Sequence, residues 1–211
     1  MADIGTPEFT NFLRLFAERL KERRGELTEL DARIGDADHG INMDRGFSAV
    51  VAKLDSSGDE ATPGALAKLV GMTLISTVGG AAGPLYGTFF LRLAGGFGDR
   101  ASVTPEELGQ ALRVALEGVA QRGKAEADDK TMVDAMRPAV EAYEATIGQG
   151  LGPALTAAAT AAAAGRDRIT PLVARKGRAS YLGERSANHQ DPGATSTTIL
   201  FEALRDAIAA R

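Results

Sequence analysis

Residues 6–20, Thr6-Pro-Glu-Phe-Thr-Asn-Phe-Leu-Arg-Leu-Phe-Ala-Glu-Arg-Leu20, decide the fold class. Phe9, Phe12, Leu13, Phe16 and Leu20 follow the i, i+3, i+4, i+7 stripe of a helix that buries one face. Thr6 before Pro7 reads as a helix start, a capping hydroxyl followed by a proline whose missing N–H costs nothing there. The signal recurs at Thr62–Pro63, at Asp191–Pro192 and at Thr104–Pro105, where Glu107 completes a capping box. Further helical stripes run through Met43, Phe47, Val50, Val51 and Leu54, then Leu66, Leu69, Val70 and Leu74, and then Leu108, Leu112, Ala115 and Val119. Another follows in Met132, Met136, Val140 and Tyr143. Leu155 to Ala164 is alanine-rich and strongly helix-forming, Pro84 opens a helix after a glycine turn, and Thr198 to Ala210 is helical again. No segment sustains the alternation of a strand. The expectation is eight main helices in one all-α domain spanning residues 1–211, an antiparallel bundle that buries each single-faced stripe.

Composition narrows the class. Of 211 residues, 44% are hydrophobic and 25% charged, as in ordinary globular proteins. The absence of cysteine excludes disulfides and thiolate metal sites. Residues 1–10 lack the apolar centre of a signal peptide, and no apolar run reaches the roughly 18 residues of a membrane span, so the expectation is a cytoplasmic chain without a membrane. The net charge of −4 argues against nucleic acid as a partner, and the small basic patch at Arg175, Lys176, Arg178 and Arg185 has no aromatic ladder beside it.

The connections are richer than a plain bundle needs. Polar and glycine clusters fill residues 31–42, 79–88 and 175–193, with a smaller one at 123–132. With helices alternating up and down, alternate loops fall at one end, so these segments are expected to converge there. In Asp31-Ala-Arg-Ile-Gly-Asp36-Ala-Asp38-His39-Gly40, three carboxylates sit on a turning stretch, the hard oxygen donors that suit Mg²⁺. Alone, the segment also reads as a solvated acidic turn with Asp36 or Asp38 capping the next helix. His39 and Asn42 follow at a helix start, where free N–H groups favour phosphate. The turn Gly79-Gly-Ala-Ala-Gly83-Pro84-Leu-Tyr-Gly87 lets backbone approach an anion, or equally lets two helices pack closely at Gly87. The loop around Arg178 and Arg185 offers guanidinium forks for phosphate oxygens, or a solvated basic surface. Asp191 reads equally as a helix cap. Cation ligands, an anion nest and basic side chains together are what phosphoryl transfer requires.

Four segments in this order, LTELDARIGDADHGINM (residues 27–43), VGGAAGPLYGTFF (78–90), RGKAEADDKTM (122–132) and ARKGRASYLGERSANHQDPGATS (174–196), resemble the L subunit of dihydroxyacetone kinases. The resemblance covers the chain from about Phe9 to the last helix. It implies a barrel of eight antiparallel helices with a nucleotide, ADP or ATP, at one end. It also implies that Asp31, Asp36 and Asp38 hold two Mg²⁺ ions bridging the phosphates. His39, Gly40, Ile41 and Asn42, then Ala81, Ala82 and Gly123, and then Met132, Arg178, Asp191, Pro192 and Gly193 match nucleotide-contacting positions. Met132 would touch the adenine, and Arg178 is the candidate catalytic residue.

In the family the keto-sugar acceptor sits on a separate K subunit. The ADP is either rephosphorylated in place by a phosphoenolpyruvate-driven phosphocarrier protein or replaced by free ATP. A chain of this length leans towards the first mode. The alternatives are an ATP-exchanging subunit for dihydroxyacetone or a four-carbon keto-sugar, a fatty-acid kinase domain, and a nucleotide sensor binding a transcription regulator. Two departures stand out. Alanine occupies position 82 where the family commonly has serine, and Asp128-Asp129 stands before Lys130 where glycine is usual, an extra carboxylate that would cap the next helix.

Overall fold

The computed structural model describes residues 3–56 and 61–209. The helices are α1 (Thr6–Glu22), α2 (Arg24–Ile34), α3 (His39–Ser56), α4 (Pro63–Thr77), α5 (Ala82–Phe97), α6 (Pro105–Gly123), α7 (Met132–Thr146), α8 (Leu151–Ile169) and α9 (Pro192–Ala209). Each packs on the next around a ring that closes where α9 meets α1. The segments α1 and α2 both lie between α9 and α3 and meet at Arg23, so together they form one bent stave of an eight-stave barrel. All eight expected helices are present, and α2 is the addition. Its buried side chains are Leu27, Asp31 and Ile34, so a carboxylate stands where an apolar residue would have completed the stripe. The expected last residue of the final helix, Ala210, lies outside the described residues.

The barrel is filled by side chains. Phe12, Phe16, Phe47, Phe89 and Phe90 are almost wholly buried, and the rings of Phe16 and Phe47 meet edge to face at 4.7 Å. The stripes that predicted the helices are the faces that turn inward, each buried phenylalanine contributing about 1.5–3 kcal/mol. Where α4 meets α5, glycines replace side chains. A Cβ on Gly87 would lie 2.4 Å from Cγ1 of Ile75, and one on Gly71 2.9 Å from the Gly87 carbonyl oxygen. The close-packing reading of Gly87 therefore holds.

The caps at Thr62, Thr104 and Asp191 are as expected. Thr62 Oγ1 accepts the Ala65 N–H at 3.2 Å, and Thr104 and Glu107 form the reciprocal box. The Thr6 reading is corrected. Its hydroxyl donates to the Ala61 carbonyl at 2.6 Å, and the helix start is closed by Glu8, whose carboxylate accepts the Gly5 N–H. Similarly α5 begins at Ala82, so Pro84 sits within its first turn rather than opening it. A two-residue pairing, Ile4 with Val103 and Gly5 with Ser102, closes the barrel end opposite the polar loops. Among the described residues, no helix is long and apolar enough to cross a membrane.

Candidate functional site

At the other end, the connections α2–α3, α4–α5, α6–α7 and α8–α9 surround a cavity of about 330 Å³. First-turn residues of four helices reach its wall: His39 of α3, Ala82 of α5, Met132 of α7 and Pro192 of α9. Helix starts carry N–H groups without intrahelical partners and the positive end of the helix dipole. The wall is thus suited to a polyanion.

Facing these starts are Asp31, Asp36 and Asp38, each with a carboxylate oxygen within 4.8 Å of the others. Asp31 is buried in the last turn of α2. Its Oδ2 accepts the backbone N–H of Asp38 at 2.8 Å and of His39 at 3.1 Å. These bonds wrap the 35–38 turn around the carboxylate, with Ala37 in the left-handed region at φ 60°. Gly35 makes the approach possible, because a Cβ there would lie 2.0 Å from Asp31 Oδ1. Asp36 receives the Arg178 guanidinium at 2.9 Å. Three hard oxygen donors on one open wall fit Mg²⁺, which takes a few carboxylates and completes its shell with water and phosphate oxygens.

Beneath the cavity a polar chain crosses between helices. His39 Nε2 lies 2.9 Å from Ser196 Oγ, which lies 2.7 Å from the Tyr86 hydroxyl. It ties the starts of α3, α9 and α5 together. Burial holds the His39 imidazole neutral, pulling its pKa down to about 4 against the Asp31 charge, and pushes the Tyr86 phenol up to about 12. Asp191 caps α9 by accepting the Ala194 N–H at 2.7 Å and also lines the cavity, so both readings of it apply. Burial raises its pKa to about 7, the Ala194 N–H working in the opposite direction.

Of the residues singled out in the sequence, the three aspartates and His39 lie on the wall. So do Ala81, Ala82, Gly123 and Met132, and Arg178 with Asp191, Pro192 and Gly193. Gly40, Ile41 and Asn42 do not. Gly40 is pressed against α2, where a Cβ would meet the Arg24 carbonyl oxygen at 2.1 Å, and Ile41 points outward, 40% exposed. Asn42 accepts from Arg45 at 2.7 Å, and Arg45 in turn donates to the Thr77 carbonyl, so the pair buttresses the 79–82 turn from behind.

The extra carboxylate before Lys130 does not cap α7. Thr131 and Asp134 do so, while Asp128, at φ 65°, pairs with Arg168, and Asp129 accepts the Glu126 N–H. The positive φ explains why glycine suits position 128. Sequence reasoning missed Tyr86, Arg122 and Lys130 on the wall. All three stood inside quoted motifs, but nothing in the order of residues says which way their side chains turn.

Residues 33–206 match the DAK2 domain family. The chain is 48% identical to the PEP-dependent dihydroxyacetone kinase, ADP-binding subunit DhaL, of Escherichia coli K12, over 93% of this chain and 94% of that one. It is 43% identical to the PEP-dependent dihydroxyacetone kinase 1, ADP-binding subunit DhaL, of Listeria innocua, over 92% of each. Among solved structures, the dihydroxyacetone kinase of C. freundii in complex with AMP-PNP and Mg²⁺ superimposes with a TM-score of 0.71 at 25% identity, over 98% of this chain. This chain spans about a third of that enzyme's length, 35%.

Proposed function

Since the chain belongs to the DAK2 domain family, we propose that it is the nucleotide-binding subunit of a dihydroxyacetone kinase and works as a phosphotransferase on a keto-sugar held by a separate K subunit. The observation that carries this is the cavity wall itself, where three carboxylates within 4.8 Å of one another face the first turns of four helices. A cluster of that kind repels a free phosphate and accepts one only together with cations.

Asp31, Asp36 and Asp38 would hold Mg²⁺, two ions in this reading, whose charge would neutralise that of the nucleotide phosphates. The chain's own part is positioning and charge placement. The 79–82 turn and the start of α5 offer backbone N–H groups to the phosphates. Gly80, at φ +64°, lets that turn fold back. Leu85, Val119, Met132 and Val133 form an apolar side of the cavity that suits an adenine ring. Arg178, on the rim, would leave Asp36 for the phosphoryl group in flight and stabilise its spread charge.

ADP that stays bound and is rephosphorylated in place is favoured by the relatives at 48% and 43% identity, both PEP-dependent ADP-binding subunits by name. The test is to dialyse the purified chain exhaustively against Mg²⁺ buffer, denature it and identify the nucleotide released. Near-stoichiometric ADP supports a resident cofactor and a phosphocarrier donor. An empty chain that binds ATP and transfers to the keto-sugar points to exchange instead. A chain that binds neither nucleotide overturns the proposal.

A further inference from the structure

Lys130 is 1% exposed, and it makes no ion pair among the described residues. Its ammonium donates to three backbone carbonyls: Thr170 at 2.8 Å, Leu172 at 2.8 Å and Ser186 at 2.7 Å. A lysine ammonium has three donors, so all are consumed and none is left for a phosphate in the cavity that the side chain lines. The three carbonyls bracket residues 170–186, the stretch that carries Lys176 and Arg178.

That stretch contains no α-helix. It winds through a 3₁₀ segment, Arg178–Ser186, kinked at Gly183 with φ 54°. Its other ties include Leu172, which packs on Ala135, Ile169 and Ala194. The Arg175 N–H reaches the Asp129 carbonyl at 3.0 Å, and Ser186 Oγ accepts the Ala174 N–H and donates to the Gly183 carbonyl. A small apolar cluster of Ala174, Ala179 and Leu182 rests on Ile34. From this stretch Arg178 extends to Asp36 at 2.9 Å.

We infer that Lys130 is a positioning residue of the phosphoryl-transfer site, its ammonium binding both ends of the 170–186 segment to the start of α7 so that Arg178 stands beside the carboxylate cluster. The inference rests on the function proposed above and adds to it the device that fixes the guanidinium. Burying a cation is costly, and the Asp191 charge nearby offsets only part of that cost. Three converging carbonyls repay it, and they lie at the two ends of a segment that lacks a helix of its own. Misplacing a reacting or stabilising group by about 1 Å costs on the order of a hundredfold in rate, so a loosened segment is felt at Arg178 before it is felt in nucleotide affinity.

The experiment compares Lys130→Met, Arg178→Ala and the double variant in the full chain with its K subunit. Three quantities are read: Mg–ADP affinity by calorimetry, kcat and KM for transfer to dihydroxyacetone, and amide exchange over residues 172–186. For Lys130→Met the expected result is a kcat lower by roughly tenfold to a hundredfold, little change in Mg–ADP affinity, and faster exchange across the segment. The double variant should be no slower than Arg178→Ala alone, because Lys130 acts through Arg178. Should Lys130→Met fail to fold, Lys130→Gln, with two donors for three carbonyls, is expected to show the same pattern in milder form.

Unchanged kcat, or losses that multiply in the double variant, would overturn the inference and leave Lys130 a packing residue. If the wild-type chain transfers nothing, the proposed function fails, and exchange alone then decides. Protection in Lys130→Met equal to wild type overturns the positioning role, and lost protection confined to 172–186 supports it.

Discussion

Replacing Gly35 with alanine tests the cation site without touching a carboxylate. The added methyl carbon would lie 2.0 Å from Asp31 Oδ1 and 2.9 Å from its Cγ, where ordinary contact begins at 3.4 Å. The carboxylate must therefore retreat by about 1.4 Å, the difference between those two distances. The backbone has little room to yield, since the Gly35 N–H is bonded to the Asp31 carbonyl at 2.5 Å. Retreat breaks the bonds from the N–H groups of Asp38 and His39 to Oδ2. Bonds to a charged acceptor contribute about 1.5–3 kcal/mol each, and 1.4 kcal/mol is tenfold in affinity. Loss of one such bond's worth of organisation alone weakens Mg-dependent ADP binding by roughly ten- to a hundredfold. Calorimetric titration with ADP in Mg²⁺ measures it, with circular dichroism to confirm the helices. Gly25→Ala is the control, since a Cβ there meets nothing within 4 Å. Mg–ADP affinity in Gly35→Ala equal to that of the control would refute both the role of Asp31 as a ligand and the role of Gly35 in seating it.

Asp36→Asn and Asp38→Asn should each abolish Mg-dependent nucleotide binding with helicity intact, and unchanged affinity in both sinks the metal assignment. Ala82→Ser restores a hydroxyl at the first position of α5 on the cavity wall. It should tighten Mg–ADP binding by about two- to tenfold, the worth of a net hydrogen bond, and no change would mean that the backbone N–H groups suffice. As pH rises from about 4 to about 7, Asp191 should withdraw stability from the nucleotide-free chain, while His39, lowered from 6.5 to about 4, returns stability over much of the same window, so the Asp191 share is read by difference. Asp191 goes from 3.8 unfolded to about 7 folded, so the folded state holds the proton more tightly and its advantage fades through that window. Thermal melts at about pH 5 and about pH 8 read the slope. Asp191→Asn should shift the slope towards greater stability at the higher pH, and an unaltered slope in that variant would refute the assignment.

The fold was legible because helix periodicity and caps are local. Phe9 to Leu20 and the other stripes name the buried faces, and Thr62, Thr104 and Asp191 mark starts that the structure keeps. Thr6 misled because a hydroxyl before proline is free to bond elsewhere, and the Ala61 carbonyl, 55 residues away, took it. Helix α2 was missed because Asp31 interrupts its apolar stripe, the same substitution that makes the residue a candidate ligand. The order of residues also placed Asp31, Asp36 and Asp38 near one another, since they lie within eight positions on a turning chain.

What it left open depends on distances between segments remote in sequence. Tertiary packing alone sets Gly40 against α2 and Asn42 behind the 79–82 turn, both off the cavity wall. It brings Arg178 to Asp36 and carries the Lys130 ammonium to carbonyls 40 to 56 residues away. A helix stripe records which face is buried because each residue's environment repeats with the helix turn. A side chain in a loop has no such repeat, so its partner is chosen only when the barrel closes and the loops meet at one end.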